Sequence, residues 1–228
     1  TGGMEAAVVN ILSPGDHVVA VTNGYFGERL ATIASRFGAQ VQRLDFPWGQ
    51  PADPDALSKA LHQDPAIKAV LMVHNETSTG LTNPVAQLCQ VARGCGKLIV
   101  VDGISSMGSL ELRVDDWGID VAITASQKGW MAPPGLAMVS VSPRAWEAHA
   151  KATMPRFNWD MALAKRFLEK DQTPFTPAVS TFYALLVALE LMAEEGQERI
   201  IERHRQVGDT IRRGVKRLGL ALFPPEEF

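Results

Sequence analysis

The chain has 228 residues, of which 46% are hydrophobic and 21% are charged, and its formal net charge is −3. A chain of this length buries enough apolar surface to fold without disulfides or metals. The charge balance gives no sign of a nucleic-acid-binding face, and no apolar run approaches the roughly 20 residues of a membrane span. Cys89 and Cys95, the only cysteines, have neither a zinc spacing nor a disulfide framework. We therefore predict a cytoplasmic protein that binds no metal, nucleic acid or membrane.

In chain order, short β-branched runs alternate with helical stretches as far as residue 141. The predicted helices span residues 4–12, 26–37, 53–63 and 84–94, and the predicted strands span 17–22, 40–44, 67–73, 97–101, 120–124 and 136–141. Strands that are apolar on both faces, such as 69–73, indicate a sheet covered by helices on both sides. The pattern therefore predicts an α/β fold, a three-layer α-β-α arrangement around a mostly parallel mixed sheet.

The second part of the chain, beyond residue 143, has a different pattern. It predicts helices at 146–153, 160–170, 179–195 and 197–218 and a short final strand at 220–223. The last helix is long and charged, which is typical of a connector toward a further domain.

Polar clusters directly follow four of the predicted strands, at residues 23–26, 74–80, 102–104 and 126–128. In open parallel sheets, ligands bind beyond the carboxyl ends of the strands. We therefore expect these four clusters to converge on one site.

Two residues of these clusters carry recognisable chemistry. Lys128 follows a buried strand and is flanked by small residues. A desolvated lysine has a depressed pKa and can form a Schiff base, whereas an ordinary loop lysine is the alternative. Asp102 closes an apolar strand, where it could bind Mg²⁺, cap a helix or face a heterocyclic N–H⁺.

Six segments, taken with their order and spacing, resemble a known family. That family is the class V aminotransferases of the alanine/serine–glyoxylate branch, which are pyridoxal 5'-phosphate (PLP) enzymes of fold type I. The segments are Thr-Gly-Gly-Met-Glu-Ala-Ala at 1–7, Asn-Gly-Tyr-Phe-Gly-Glu-Arg at 23–29, His-Asn-Glu-Thr-Ser-Thr-Gly at 74–80, Val-Asp-Gly-Ile-Ser-Ser at 101–106, Ser-Gln-Lys at 126–128 and Gln-Thr-Pro-Phe-Thr-Pro-Ala at 172–178. The resemblance implies a PLP-binding large domain over residues 1–195, followed at 196–228 by a connector helix and the start of a C-terminal small domain. It also implies that this sequence is part of a longer chain, with the arginine that grips the substrate carboxylate outside it.

The resemblance further implies roles around the cofactor ring. Lys128 would hold PLP as a Schiff base and then move the substrate's proton, and Asp102 would keep the pyridine nitrogen protonated. Phe26 would stack on one face of the ring. Ile104 would press on the other face, with a plain core residue as the alternative. Ser78 would approach the phenolic oxygen, with a loop serine as an equally good interpretation.

The same resemblance implies a binding site for the cofactor phosphate. Thr1 and Gly2 would donate to it from a helix N-terminus, where backbone N–H groups bind anions, and Gln127 would add its amide. Thr176 resembles a residue that reaches the phosphate of the neighbouring subunit, which implies a homodimer with shared active sites. A turn or cap threonine is the alternative for Thr176.

The implied function is transfer of an amino group from a small amino acid, of the alanine or serine type, to glyoxylate or a similar 2-oxo acid. Another class V PLP enzyme, such as a cysteine desulfurase or lyase, is an alternative, although neither Cys89 nor Cys95 is placed for that chemistry. A non-catalytic subunit or fragment of the same fold is the other alternative. His74, although it ends a strand, is expected to be structural because Lys128 already fills the proton-transfer role.

Overall fold

The computed structural model describes residues 1–226. The strands are β1 His17–Thr22, β2 Gln40–Asp45, β3 Ile67–Val73, β4 Asn75–Glu76, β5 Leu81–Thr82, β6 Leu98–Asp102, β7 Val121–Ala125 and β8 Ala137–Val141. The helices are α1 Gly2–Ile11, α2 Tyr25–Arg36, α3 Pro54–Gln63, α4 Val85–Gly94, α5 Pro143–His149, α6 Met161–Leu168, α7 Val179–Glu195 and α8 Gln197–Arg217.

The main sheet has the strand order β2-β1-β3-β6-β7-β8. Its pairs are parallel except β7 with β8, which is antiparallel. Strands β4 and β5 form a separate two-stranded hairpin between β3 and α4. The predicted α/β fold with a mostly parallel mixed sheet is therefore confirmed.

Successive side chains along the central strands point to opposite faces of the sheet, and each face packs against a layer of helices. Ala69 and Leu71 of β3 face a core that also contains residues of α1, α2 and α5. Val70 and Met72 face a second core that contains residues of α3 and α4. Because both faces of the sheet are covered by helices, the sequence of β3 is apolar throughout, as parallel sheets require.

Helix α1 packs against the last two strands and begins at the carboxyl end of β7. A Cβ atom at Gly3 would lie 2.9 Å from Cγ2 of Ile123 in β7 and 3.1 Å from Cβ of Ala137 in β8. Ala137 in turn pairs with Ala125, the last residue of β7. The missing side chain at Gly3 thus lets the first turn of α1 approach the sheet at the edge where a ligand of a parallel sheet binds.

The predicted strand at 220–223 is wrong. These residues follow a turn at Gly219, whose φ is 76°, and form no strand. The side chain of Phe223 packs over Gly49 instead. A strand needs a hydrogen-bonding partner, and within residues 1–226 no strand pairs with this segment. In the same range no helix combines the length and the apolar character needed to cross a bilayer.

Candidate active site

The four polar clusters that follow β1, β3, β6 and β7 share one edge of the sheet. In the register of the sheet, Val73 of β3 pairs with Asp102 of β6, and Asp102 pairs with Ile123 of β7. The loop after β1 is held to this edge by a pair of buried side-chain amides. Asn23 Nδ2 donates to Asn83 Oδ1 at 2.7 Å, and Asn83 Nδ2 donates to the carbonyl of Val73 at 3.0 Å. The expectation that these clusters converge follows directly from the parallel pairing.

Asp102 is the acidic group at the centre of this edge. Its side chain is 3% exposed, and Oδ1 accepts a hydrogen bond from the backbone N–H of Ile104 at 2.8 Å. Burial raises the pKa of Asp102 to about 6; the Ile104 hydrogen bond and the Arg29 guanidinium oppose this rise, and the Glu76 carboxylate adds to it. A carboxylate kept out of water with one oxygen uncommitted is suited to a cationic partner.

The raised pKa of Asp102 has a testable consequence for stability. A group whose pKa is higher in the folded state than in the unfolded state stabilises the fold while it is protonated, and this stability is lost as the pH rises. For Asp102 the loss runs from the ordinary pKa of 3.8 to the folded pKa of about 6.

Asp102→Asn removes this titration while leaving an oxygen to accept the Ile104 hydrogen bond. We compare the free energy of unfolding of the variant with that of the native protein, both without cofactor. The difference, variant minus native, should rise by about 2–3 kcal/mol between pH 4 and pH 7. Denaturant melts at a series of pH values measure it. A difference that stays constant with pH would contradict the buried, high-pKa carboxyl.

The first turn of α1 offers unpaired backbone donors next to this carboxylate. The helix begins at Gly2 with Thr1 as its N-cap, and the Thr1 side chain makes no capping hydrogen bond. The N–H groups of a first turn have no partners within the helix and carry the positive end of its dipole. The guanidinium of Arg29 lies close by, with Nη1 3.3 Å from Thr1 Oγ1. Together these groups form a positive site of the kind that binds phosphate.

The first turn of α2 carries two aromatic rings toward the same region. Tyr25 and Phe26 pack edge to face with their centroids 5.7 Å apart. The guanidinium carbon of Arg29 lies 4.8 Å from the centre of the Phe26 ring and 5.0 Å from that of Tyr25. Phe26 is half-buried, so part of its ring is free to contact a ligand.

Ser78 is engaged within the protein. Its hydroxyl donates to Glu76 Oε1 at 2.6 Å and accepts from the backbone N–H of Tyr25 at 2.9 Å. Because the hydroxyl proton is used by Glu76, Ser78 holds the start of α2 in this structure. These contacts agree with the interpretation of Ser78 as a loop serine. To donate a hydrogen bond to a ligand, its hydroxyl would have to rotate away from Glu76.

Lys128 and Gln127 lie in a turn that follows β7, the strand next to Asp102. The turn is closed by hydrogen bonds from Ala132 N to Ser126 O at 3.0 Å and from Met131 N to Lys128 O at 2.9 Å. Both side chains are exposed. The sequence suggested that Lys128 is desolvated, and in this structure it is not. The reason is that the turn carries the lysine past the buried end of the strand, where no side chain within residues 1–226 hydrogen-bonds to it.

The geometry at this edge agrees with what the chain resembles among known proteins. The sequence model named aminotransferase class-V matches residues 1–226. The chain belongs to the class V aminotransferase family. The predicted family is thereby confirmed.

Individual relatives within the family carry different names. The chain is 44% identical over 226 residues to a protein of Synechococcus sp. named soluble hydrogenase, small subunit. It is 39% identical over 226 residues to the L-aspartate–glyoxylate aminotransferase of Paracoccus denitrificans. These matches cover 98% and 97% of this chain but 59% and 57% of the relatives, so the chain spans less than two thirds of their length.

A solved structure of the family superposes closely on this chain. The alanine–glyoxylate aminotransferase of Nostoc sp. matches with a TM-score of 0.94 at 32% identity, over 99% of this chain and 60% of the other. The described fold is therefore that of the class V aminotransferases over nearly the whole length of the chain.

Within residues 1–226, no hydrogen bond or ring contact joins Thr176 to the other predicted site residues. It is exposed, and its hydroxyl makes no hydrogen bond within residues 1–226. The segment around it is anchored instead by Phe175, whose ring centre lies 5.5 Å from that of Phe157. The structure thus brings Asp102, Ile104, Thr1, Gly2, Phe26 and Ser78 to one edge of the sheet, with Gln127 and Lys128 on the adjoining turn and Thr176 apart.

In this class V aminotransferase His74 directly follows β3 and is buried, with no hydrogen-bond partner for its Nδ1 within residues 1–226, and its structural role stays a prediction. Burial lowers its pKa to about 4, so the imidazole is neutral, and its ring packs edge-on against Trp117 at 6.0 Å. Its backbone N–H donates to the carbonyl of Asp102 at 2.9 Å. His74 therefore ties β3 to β6 just below the site.

The sequence analysis did not predict a role for two residues that lie at this site, Glu76 and Arg29. Both lie inside motifs that carried the family resemblance, but neither has a local signature of its own. Arg29 follows Phe26 by three residues on a helix, a spacing that puts the two side chains on one face and could have indicated their contact. Nothing in the sequence around Glu76 indicates that its carboxylate is buried.

Proposed function

We propose that this protein is a PLP-dependent aminotransferase. The proposal is carried by one arrangement: the buried Asp102 carboxylate beside the uncapped first turn of α1, with Lys128 on the adjoining strand end. This arrangement suits a small, flat ligand that carries a phosphate. The carboxylate would face a cationic group of the ligand, the helix end would bind the phosphate, and the amine would bind covalently. Membership of the class V aminotransferases supports the same conclusion.

The residues present fit PLP. The backbone N–H groups of the α1 first turn, with Thr1 and Gly2, would bind the phosphate, supported by the charge of Arg29 and by the amide of Gln127. The free Oδ2 of Asp102 would accept a hydrogen bond from the protonated pyridine nitrogen. The pKa of about 6 means that Asp102 is ionised at neutral pH, as that role requires. The half-buried side chains of Phe26, an aromatic ring, and Ile104, an aliphatic chain, would enclose the heterocycle from its two faces.

When bound, the cofactor supplies an electron-withdrawing ring that stabilises negative charge at the α-carbon of an amino acid. Lys128 Nζ would hold the cofactor covalently and, once released by the incoming amino acid, would take the proton from the α-carbon. The same Nζ would deliver that proton to the cofactor carbon to which Nζ had been bound, which completes a 1,3-proton shift. Asp102 would keep a proton on the ring nitrogen throughout, because its charge disfavours release of that proton in a buried site.

We further propose that the amino donor is a small amino acid of the alanine or serine type and that the acceptor is glyoxylate or a similar 2-oxo acid. Relatives named for transfer to glyoxylate support this choice. With glyoxylate as the acceptor, a screen of amino donors should give glycine and the matching 2-oxo acid from alanine or serine. Lack of glycine with every donor, in a protein that binds PLP, would contradict the substrate proposal.

A non-catalytic subunit is the second candidate, and one observation favours it. The relative at 44% identity is named as a subunit of a soluble hydrogenase. Against it, the lysine and aspartate that the transaminase chemistry needs are both present, at adjoining strand ends. For a cysteine desulfurase, Cys89 is not a suitable nucleophile, because it is buried and burial raises the pKa of its thiol to about 12.

The proposal extends to assembly. We propose a cytoplasmic homodimer in which Thr176 of each subunit contacts the phosphate bound by the other. Its support is the exposure of Thr176 between Pro174 and Pro177, since prolines lower the entropy cost of presenting a side chain to a partner. We also propose residues 1–195 as the cofactor-binding domain and 196–228 as a connector to a small domain.

A further inference from the structure

The first turn of α2 has an unusual cap. The residue at its N-cap, Gly24, has no side chain to offer the helix, and the cap comes from strand β4, about fifty positions later in the sequence. Glu76 Oε2 accepts the backbone N–H groups of Phe26 and Gly27, both at 3.0 Å. Glu76 Oε1 accepts the N–H of Ser78 at 3.1 Å and its hydroxyl at 2.6 Å.

The Glu76 carboxylate is fully buried, with 0% of the residue exposed, and within residues 1–226 no cation pairs with it. Taking an ionised carboxylate out of water is costly, and only hydrogen bonds and the positive end of the α2 dipole offset that cost here. An ordinary Ser, Asp or Asn at the N-cap position would cap the helix without burying a charge. The arrangement ties the start of α2 to β4, a long-range connection that a local cap would not make.

The absence of a side chain at Gly24 makes room for the same carboxylate. A Cβ atom at this position would overlap the Cγ and Cδ atoms of Glu76 and lie 2.7 Å from Ser78 Oγ. The backbone of Gly24 is extended, with φ at 173°, so the conformation itself does not require glycine. The small residue is needed to leave room for Glu76.

The contact has a direct relation to the site. Phe26 donates its own backbone N–H to Glu76, and its ring is the one that the proposed function sets against the cofactor. Glu76 is also close enough to Asp102 to raise that residue's pKa. Glu76 thus holds the backbone of the proposed ring-stacking residue and acts electrostatically on the proposed partner of the ring nitrogen.

We propose that Glu76 is a positioning residue, whose buried carboxylate fixes the first turn of α2 and thereby the Phe26 ring against the cofactor. This inference rests on the proposed function, because it assigns Glu76 a task toward PLP. Glu76 touches no reacting atom and acts through Phe26.

The test compares Glu76→Gln with the native protein and with Asp120→Asn. Asp120 is the control: a buried carboxylate that accepts from Ile99 N at 3.0 Å and Ser142 Oγ at 2.7 Å and, unlike Glu76, pairs with Arg144, just before β7 at the opposite edge of the sheet. The readouts are the dissociation constant for PLP, the visible circular dichroism of bound PLP and the exchange rates of the Phe26 and Gly27 amides.

Because hydrogen bonds to a charged acceptor are about twice as strong as neutral ones, Glu76→Gln should raise the dissociation constant for PLP about five- to tenfold. It should at least halve the circular dichroism of bound PLP and speed exchange of the Phe26 and Gly27 amides. Gly24→Ala, which pushes against Glu76 from the other side, should change the same readouts in the same direction. Asp120→Asn should leave all three as in the native protein.

A double-mutant cycle with Phe26→Leu separates positioning from mere support of the fold. If Glu76 acts through Phe26, adding Glu76→Gln to Phe26→Leu should weaken PLP binding no further. Additive losses, or a Glu76→Gln protein that melts earlier yet keeps native affinity and circular dichroism, would overturn the positioning role alone. Native protein that binds no PLP would overturn the proposed function, and the task of Glu76 toward the cofactor with it.

Discussion

Replacement of Lys128 by alanine should reduce amino-group transfer by at least about 10³-fold, because the variant loses both the covalent hold on the cofactor and the base that moves the substrate's proton. After treatment with borohydride, the native protein should carry one pyridoxyl group on the peptide that contains Lys128. The variant should carry none. Turnover assays and peptide mass mapping measure the two effects.

A pyridoxyl label on Lys128 alone would be strong support for the assignment, because other exposed lysines are equally accessible to free PLP. Lys151→Ala is the matched control, since Lys151 is exposed and lies outside the site. It should keep both turnover and the label on Lys128. A label on another lysine, or a Lys128→Ala protein that still turns over at more than a hundredth of the native rate, would refute the assignment.

Asp102→Asn should lower turnover by about 10²–10³-fold, a loss of about 3–4 kcal/mol of transition-state stabilisation. An amide cannot hold the ring nitrogen in its protonated form, so charge on the substrate's α-carbon is no longer drawn into the ring. The phosphate site and Lys128 are untouched, so the variant should still bind PLP. Measurements of kcat together with cofactor content separate the two effects.

The same variant is expected to be more stable than the native protein above pH 6 when the cofactor is absent, since it no longer buries a charge. A gain in stability with a loss of turnover is typical of a residue retained for function. Asp120→Asn, at the opposite edge of the sheet, should lose little turnover. Near-native turnover in Asp102→Asn would exclude Asp102 as the partner of the ring nitrogen.

The layered fold was predictable from the sequence because its signals are local. Strands such as 69–73 are apolar on both faces, and helices such as α3 carry their own start signals, with Asp53 at the N-cap accepting the Asp55 N–H at 2.9 Å. Parallel pairing then brings the carboxyl ends of neighbouring strands together. The convergence of residues around Asp102, Phe26 and the first turn of α1 follows from that topology.

The final strand could not be predicted in the same way. Residues 220–223 have a strand-like composition, but a strand exists only where a neighbour offers hydrogen bonds, and composition does not reveal the neighbour. The exposure of Lys128 is a similar case. Its position after a buried strand suggested burial, whereas the path of the following turn decided the outcome.

What the sequence by itself determined about this protein is the class of fold, the family and the strand-end positions of Asp102 and Lys128. What only the tertiary structure decided is how charges far apart in the chain act on one another. Glu76 caps a helix that starts about fifty residues before it, and burial shifts the pKa of Asp102 to about 6. The physical reason is that periodicity and motif spacing are properties of neighbouring residues, whereas desolvation and electrostatic coupling depend on distances through space that only the packed chain defines.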